Sequence, residues 1–342
     1  MPENPEEPNR QVGQDLVSFV LPVHNEAGNI QTLHMRLEQI TEAADFRAEF
    51  VYVNDGSGDT SLEILRQISS ADRRVTVLDF SRNFGHQIAV TAGLDIARGD
   101  AVVIMDTDLQ DPPEVVLQLV SAWREGADVA YAQRRTRKDS LFKRMTAAAF
   151  YRLLSRLSDI DIPQNTGDFR LMDRRVVDEV KKYREVDRYL RGMVSHVGFT
   201  QVAVPFDRDE RLSGQSGYPL RKMLKLAADG ILGFSTFPLI IISRVGFLAS
   251  GLAVLGALYA LAMKLFAPEN VVEGWTFIVI SVLFVGGLQI SMLGILGEYI
   301  GRIYREVQDR PLYTVRSVIR GGVDTFRRGP SQIQDLGRVE AR

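Results

Sequence analysis

The chain has 342 residues, 45% of them hydrophobic and 25% charged, with 28 Gly and 13 Pro; this balance excludes collagen-like, low-complexity and wholly disordered classes. Its 41 Lys+Arg against 43 Asp+Glu give a net charge of −2, so no nucleic-acid partner is expected and any basic patch must be local. Cysteine is absent, which removes disulfides, thiolate metal sites and Cys nucleophiles and leaves oxygen and imidazole chemistry.

In chain order, Met1 to Asp15 is acidic and Pro-rich and lacks the basic start and apolar core of a signal peptide, so residues 1–14 read as a disordered cytoplasmic tail. Short β-branched runs follow at Leu16 to Val23, Glu49 to Val53, Val75 to Phe80 and Ala101 to Met105, with helical periodicity between them. This alternation predicts an α/β domain over 15–217, a mostly parallel, Rossmann-like sheet with helices on both faces. Ligands of such sheets bind beyond the carboxyl ends of the strands. The polar residues at those ends are His24, Asn25 and Glu26, then Asn54 and Asp55, then Asp106 and Asp108.

In PVHNEAGNI, Pro22 and Asn25 end a strand and Glu26 begins a helix whose apolar side includes Ile30, Leu33 and Leu37. Glu26 serves either a ligand or simply the helix N-terminus. In VNDGSGDTS, Gly56 and Gly58 permit a tight turn, and Asp55 sits where a carboxylate can accept hydrogen bonds from a nucleobase or ribose. The same residues also make a plain turn capped by Asp59 or Thr60. In VVIMDTDLQDPPEVV, Asp106 and Asp108 point the same way from a strand end and repel unless a cation lies between them, which suits Mg²⁺ or Mn²⁺. Gln110 can add a neutral carbonyl ligand, and Asp111 before two prolines reads as the cap of the next helix.

Further on, RRTRKDSLFKR supplies Arg134, Arg135, Arg137, Lys138, Lys143 and Arg144. Such a run is either a solvated loop or a cationic surface for an anionic lipid; its first residue, Arg134, follows a strand and is the candidate phosphate contact. Asp168 in NTGDFR is either an active-site residue or a turn before the strand FRLM. His24 and His86 read as locally hydrogen-bonded histidines, since no metal-ligand spacing surrounds them.

Tyr218 to Ile231 sets Leu220, Met223, Leu224, Leu226 and Ala227 against Arg221, Lys222 and Lys225. The pattern predicts interfacial helices over 218–244, although a helix packed on the domain has the same period. Val245 to Met263 and Trp275 to Leu296 are 19 and 22 consecutive uncharged residues, each long enough to cross a hydrocarbon core of about 30 Å. Two transmembrane helices are therefore predicted within 245–298. Arg221, Lys222, Lys225 and Arg244 precede them and Arg302, Arg305 and Arg310 follow, while Phe266 to Gly274 has no Lys or Arg. The positive-inside rule places the catalytic domain, both termini and a tail over 299–342 in the cytoplasm of a plasma or inner membrane.

FSRNFGHQIAVTAGLDIARGD, MDTDLQDPPE, NTGDFRLMDRR and RLSGQSGYPLRKMLKLAADGI, followed by two apolar spans, resemble the GT-A fold glycosyltransferases of family 2. Within them the chain is similar to the bacterial polyprenyl-phosphate glycosyltransferases, relatives of dolichyl-phosphate mannose synthase, over roughly Asp15 to Arg310. The resemblance implies inverting transfer of one hexose from a nucleotide sugar, UDP-glucose as the modal donor, to a polyisoprenyl phosphate at the cytoplasmic leaflet, with Mg²⁺ or Mn²⁺. It implies that Pro22, Asn25, Glu26, Asp55 and Asp106 line the nucleotide site and that Asp106, Asp108 and Gln110 hold the metal. It further implies that Arg211 and Gln215 belong to a loop over the diphosphate and acceptor, where Gly217 stands in place of the usual Lys, and that the enzyme is a homo-oligomer, with a tetramer the form relatives suggest. Asp168, Asp108 and Arg211 are then the expected catalytic residues.

A phosphate acceptor needs no base, because its second pKa lies near 6 and it is largely dianionic at neutral pH; Asp168 then orients the acceptor, a sugar hydroxyl or a cation. Two other functions compete. A processive polysaccharide synthase shares the metal motif, but its Q-x-x-R-W signature is missing around Trp123 and Trp275. A non-catalytic, nucleotide-binding membrane scaffold does not require the Asp106/Asp108 pair.

Overall fold

The computed structural model describes residues 15–135, 166–207 and 274–324, with short helical stretches between 241 and 259. Arg211, Gln215, Gly217, the amphipathic segment 218–231, the charge run beyond Arg135 and the tail 1–14 lie outside the described residues. Two units divide the chain. One contains the described residues up to 207 together with those from 311 onward; the other contains 218–310.

The first unit is α/β, as the alternation predicts. Its strands are β1 (Leu16–Val23), β2 (Arg47–Asn54), β3 (Val75–Phe80), β4 (Ala101–Ile104), β5 (Val129–Arg134), β6 (Thr166–Asp173), β7 (Gln201–Phe206), β8 (Val315–Arg320) and β9 (Val323–Asp324). Six helices accompany them: α1 (Ile30–Glu42), α2 (Ser61–Ala71), α3 (His86–Ile96), α4 (Val115–Arg124), α5 (Arg174–Val180) and α6 (Leu190–Val197). The strands form one sheet in the order β7-β5-β6-β4-β1-β2-β3-β8-β9. Its centre, β4-β1-β2-β3, is parallel, and β6 and β8 flank it antiparallel. The expected Rossmann-like layout therefore holds at the centre, while the flanks make the sheet mixed. Because β2 and β3 lie on one side of β1 and β4 on the other, the strand order reverses between β1 and β4, and a crevice opens there at the carboxyl ends.

Each sheet face has its own core. Ile30, Leu33 and Leu37 of α1, Leu65 of α2 and Leu119 and Trp123 of α4 pack with Phe19, Phe50 and Tyr52 on one face. Ala89 and Val90 of α3, Val176 and Val177 of α5 and Val194 of α6 pack with Val20, Val51, Phe80 and Val102 on the other. Residues 19–23, 50–54 and 101–105 are buried throughout, as expected for strands covered on both faces. Helix α1 begins at Ile30 rather than at Glu26, and Asn29 precedes it without a side-chain cap.

Within the stretch 299–342, expected to be a tail, the described residues 299–324 are largely helix and strand. Strand β8 pairs antiparallel with β3, Thr76 opposite Arg320 and Asp79 opposite Ser317, and β9 folds back on β8. Tyr313 stacks on Phe80 with ring centroids 5.2 Å apart, and its hydroxyl donates to Asp95 at 2.8 Å. Ser81 N–H donates to Thr314 C=O at 3.0 Å and the Arg316 guanidinium donates to Ser81 C=O at 2.8 Å. Its position behind an apolar segment hid in the sequence that this stretch completes the sheet.

In the second unit, helix α7 runs 33 residues from Trp275 to Val307. Its stretch Phe284–Val307 is long and apolar enough to cross a membrane, and the expected span Trp275 to Leu296 lies within the same helix. Phe284, Ile290 and Leu293 are exposed, as suits a lipid-facing surface. The described residues of the other expected span, Val245 to Met263, are helical, and the remainder lie outside the description; among the described residues α7 is the one helix that meets the length and hydropathy of a span.

Removing the Tyr313 ring tests how much β8 contributes. Tyr313→Ala is expected to cost about 3 kcal/mol, in the range of large buried aromatic truncations, and Tyr313→Phe about 1 kcal/mol for the lost hydrogen bond. Denaturant unfolding followed by fluorescence of the buried Trp123 measures both.

Candidate active site

The site forms where β1 and β4 end side by side, and its loops are tied to one another before any ligand is considered. Asn25 adopts a positive φ of 57°, a conformation Asn tolerates better than most residues. Its Oδ1 accepts from Gly58 N–H at 2.8 Å, and its own N–H donates to Ser57 Oγ at 3.1 Å. Asp59 accepts from the backbone of Ser61 and of Ala27, so it both caps α2 and binds the first loop to the second.

Asp55 was expected to face a nucleobase or ribose. In the fold it is buried, and its two oxygens accept from Phe84 N–H at 2.6 Å and Gly85 N–H at 2.9 Å. It holds the 81–85 loop against the D-G-S turn. Gly56 is required in that turn: its φ is +61° and a Cβ would come within 2.5 Å of the Arg82–Asn83 backbone. Pro22 contributes its carbonyl, which accepts from the Thr107 hydroxyl at 2.9 Å and so joins the end of β1 to the segment after β4.

That segment carries Asp106, Asp108 and Gln110. Leu109 between the last two has φ of 58°, a left-handed backbone that is costly for a branched residue and clusters at functional sites; Gln110 N–H donates to Asp108 at 3.1 Å. Burial raises the Asp106 carboxyl to about 6, with the charges of Asp168, Asp108 and Asp111 adding to the rise and His86 opposing it. Glu26 is raised as well, first by burial and then by Asp108 and Asp59, against a hydrogen bond from Asn29. A crowd of carboxylates with excess negative potential is what a hard divalent cation relieves, and two carboxylates with one amide oxygen form an oxygen donor set of the right kind. Asp106, Asp108 and Gln110 therefore fit Mg²⁺ or Mn²⁺. A second acidic group, His34, Glu38 and Asp72, lies elsewhere and already has a cation: Arg74 reaches Asp72 at 2.9 Å and Glu38 at 3.4 Å.

Asp168 faces Asp106 through His86, whose Nε2 lies 3.3 Å from Asp168 and 3.6 Å from Asp106. The Asp168 carboxylate also accepts from Arg191 Nε at 2.7 Å and Gln87 Nε2 at 3.0 Å. Burial alone would raise its pKa, but the hydrogen bond from His86 and the charges of Arg191 and Arg170 outweigh burial and hold it well below the usual carboxylate range. His86 moves the other way: burial would lower it, and Asp168 and Asp106 raise it. These partners favour the ionised form of Asp168 and make it a weak base. Arg170, fully buried beside it, is pushed down to about 10 by desolvation.

Arg134 lies 3.7 Å from Asp111, and a Cβ on Gly167 would stand 3.5 Å from its Nη2, so Arg134 sits at the edge next to the Asp168 segment. Helix α4 starts behind Glu114, whose own side chain makes no capping bond, and Asp111, expected as the cap, is buried beside Arg134. Four contributors escaped the sequence reading: Gln87, Arg170, Arg191 and the bridging role of His86. Gln87 and His86 sit at the start of α3 and Arg191 at the start of α6, and only the packing of those helices brings them together with Asp168.

Residues 18–181 match the model of the family described as glycosyl transferase family 2. An uncharacterized glycosyltransferase, YkcC, of Bacillus subtilis (strain 168) is 51% identical over 87% of this chain and 93% of its own. The SfII prophage-derived bactoprenol glucosyl transferase of Shigella flexneri is 40% identical over 89% of this chain and 99% of its own. Among solved structures, glucosyl-3-phosphoglycerate synthase from Mycobacterium tuberculosis in complex with Mn²⁺, UDP-glucose and phosphoglyceric acid covers 64% of this chain and 78% of its own at 20% identity and a TM-score of 0.43, too slight a likeness to carry a functional argument. With the catalytic sheet, the carboxylate pair after β4 and this identity over nearly the whole chain, the protein belongs to the family 2 glycosyltransferases.

Proposed function

We propose that this enzyme transfers glucose from UDP-glucose to a polyprenyl phosphate at the cytoplasmic face of the membrane, inverting the anomeric carbon. The observation that carries the reading is how Asp168 is held: its carboxylate accepts from Arg191 and Gln87 and lies 3.3 Å from His86, partners that hold its pKa well below the usual carboxylate range and make it a poor base toward an acceptor. A hydroxyl acceptor would need that base, whereas a phosphate oxygen attacks without one. The printed name of the Shigella relative, a bactoprenol glucosyl transferase, points to the same acceptor class.

In this reading a phosphate oxygen of the acceptor attacks the sugar C1 as the bond from C1 to the diphosphate oxygen breaks, and the nucleoside diphosphate leaves with the electron pair. A divalent cation, when bound, supplies Lewis-acid stabilisation of the departing diphosphate. Asp106, Asp108 and Gln110 would hold it; Asp168 fixes His86 and Arg191, and Arg134 stands at the edge to meet acceptor or donor phosphate. Pro22, Asn25, Glu26 and Asp55 shape the nucleotide side, with Asn25 and Asp55 acting through the loops they bind. Arg211 and Gln215 are assigned to the closing loop by resemblance, and a homo-oligomer is proposed on the same ground.

A membrane hairpin with two crossings is supported by connectivity. Residues 15–207 and β8 belong to one sheet, so the chain leaves and returns on the same side, and any crossings between must be even in number. If α7 crosses, a second crossing is needed, and the apolar run 245–263 is the segment available for it. Flanking Arg and Lys assign the common side to the cytoplasm.

Purified enzyme given labelled UDP-glucose, polyprenyl phosphate and Mg²⁺ or Mn²⁺ is expected to place label in an acid-labile lipid; transfer to a soluble glycan without that lipid refutes the proposal, and a donor panel scored by UDP or GDP release tests the sugar. Asp108→Asn is expected to lower kcat by about 10²–10³-fold with membrane insertion unchanged. Mn²⁺ affinity should fall as pH drops through about 6, because the raised Asp106 carboxyl then gains a proton and loses its charge; a paramagnetic titration between pH 5 and pH 8 reads this directly.

A further inference from the structure

Gln87 lies in the first turn of α3, directly before the buried Ala89 and Val90. Its side-chain amide makes two long-range bonds at once. Nε2 donates to Asp168 Oδ2 at 3.0 Å, and Oε1 accepts from Leu190 N–H at 2.9 Å. Leu190 is the first residue of α6, a position whose N–H has no partner inside its own helix. Tyr189 before it makes no side-chain capping bond, and Leu190 is only 1% exposed, so Gln87 supplies the acceptor that the helix start lacks. Arg191 comes next in the chain, and its Nε donates to the other oxygen of Asp168, Oδ1, at 2.7 Å. Asp168 of β6, Gln87 of α3 and the Leu190–Arg191 pair of α6 thus close a circuit of hydrogen bonds across three elements.

Only one orientation of the amide serves both partners, because a carboxylate can only accept and a backbone N–H can only donate. A side chain at position 87 must therefore carry a donor and an acceptor on one rigid group, at the length of glutamine. Without it the Asp168 oxygen and the buried N–H of Leu190 each lose a partner, and the start of α6 loses the contact that sets its distance from β6. We propose that Gln87 is a positioning residue for sugar transfer, holding the start of α6 against Asp168 so that the Asp168–Arg191 pair keeps its geometry at the catalytic end of the sheet. The inference rests on the reading of Asp168 as part of the transfer site. A natural control lies at the other end of the same helix: Asp95 of α3 accepts from Arg184 Nη1 at 2.9 Å and from the Tyr313 hydroxyl, and so holds the connection between α5 and α6 far from Asp168.

Gln87→Met keeps the length of the side chain and removes both polar atoms. In the full chain in lipid nanodiscs, hydrogen exchange of the peptide that begins α6 is expected to quicken about tenfold at Leu190. Single-turnover transfer, with enzyme in excess over labelled UDP-glucose and polyprenyl phosphate saturating, gives a rate constant that does not depend on the folded fraction; it is expected to fall about tenfold. Arg191→Met should slow the same step, and adding Gln87→Met to it should cost less than about a further twofold, because the pair that Gln87 positions is already gone. Asp95→Asn should lower the melting temperature and leave the rate constant within about twofold. Unchanged exchange at Leu190, an unchanged rate constant in Gln87→Met or Arg191→Met, additive losses in the double variant, or equal slowing in Asp95→Asn overturns the proposal. A parent enzyme that transfers nothing to polyprenyl phosphate strikes the functional reading instead, and the exchange result at Leu190 stands apart from it.

Discussion

Repulsion among carboxylates at the junction of β1 and β4 is the constraint around which the catalytic end is built. Asp106, Asp108, Asp111, Asp168 and Glu26 act on one another there, and each is treated differently. Asp168 is matched by Arg191, Arg170 and His86, and Asp111 lies beside Arg134. Asp106 and Glu26 are left raised, so negative potential is concentrated between the loop after β1 and the segment after β4.

Much of this was legible from residues alone. The strands β1 to β4 are unbroken β-branched runs, and the placement of Asp106 and Asp108 after the fourth needed only the rule that ligands gather at strand ends. The role of Asp55 was not legible. A D-G-S turn reveals a carboxylate at a loop, but whether it points toward ligand or toward the amides of Phe84 and Gly85 depends on a neighbouring loop. Asp168 shows the same limit more strongly: its partners Gln87 and Arg191 lie far from it in sequence, and the helices that carry them are placed by packing, α3 against β1 and β2 and α6 against α5, not by any local pattern.

The two ends of the sheet handle charge differently. At the carboxyl ends, acidic side chains cluster in loops whose backbone is pinned by Asn25, Asp55 and Asp59. At the amino ends, cations and anions meet directly, Arg74 with Asp72 and Glu38 and Arg98 with Glu49. A near-zero net charge conceals this difference.

The pairing of β8 with β3 has a consequence for how the protein is made. Synthesis proceeds from the amino terminus, so β3 emerges long before β8, and all of residues 218–310 emerge between them. Until the ribosome has passed residues 218–310, β3 is an open edge of a kind that invites pairing with other chains, and Phe80 lacks Tyr313. The catalytic sheet is therefore completed only after that segment has left the ribosome, which makes a fragment ending before residue 311 an unfinished fold.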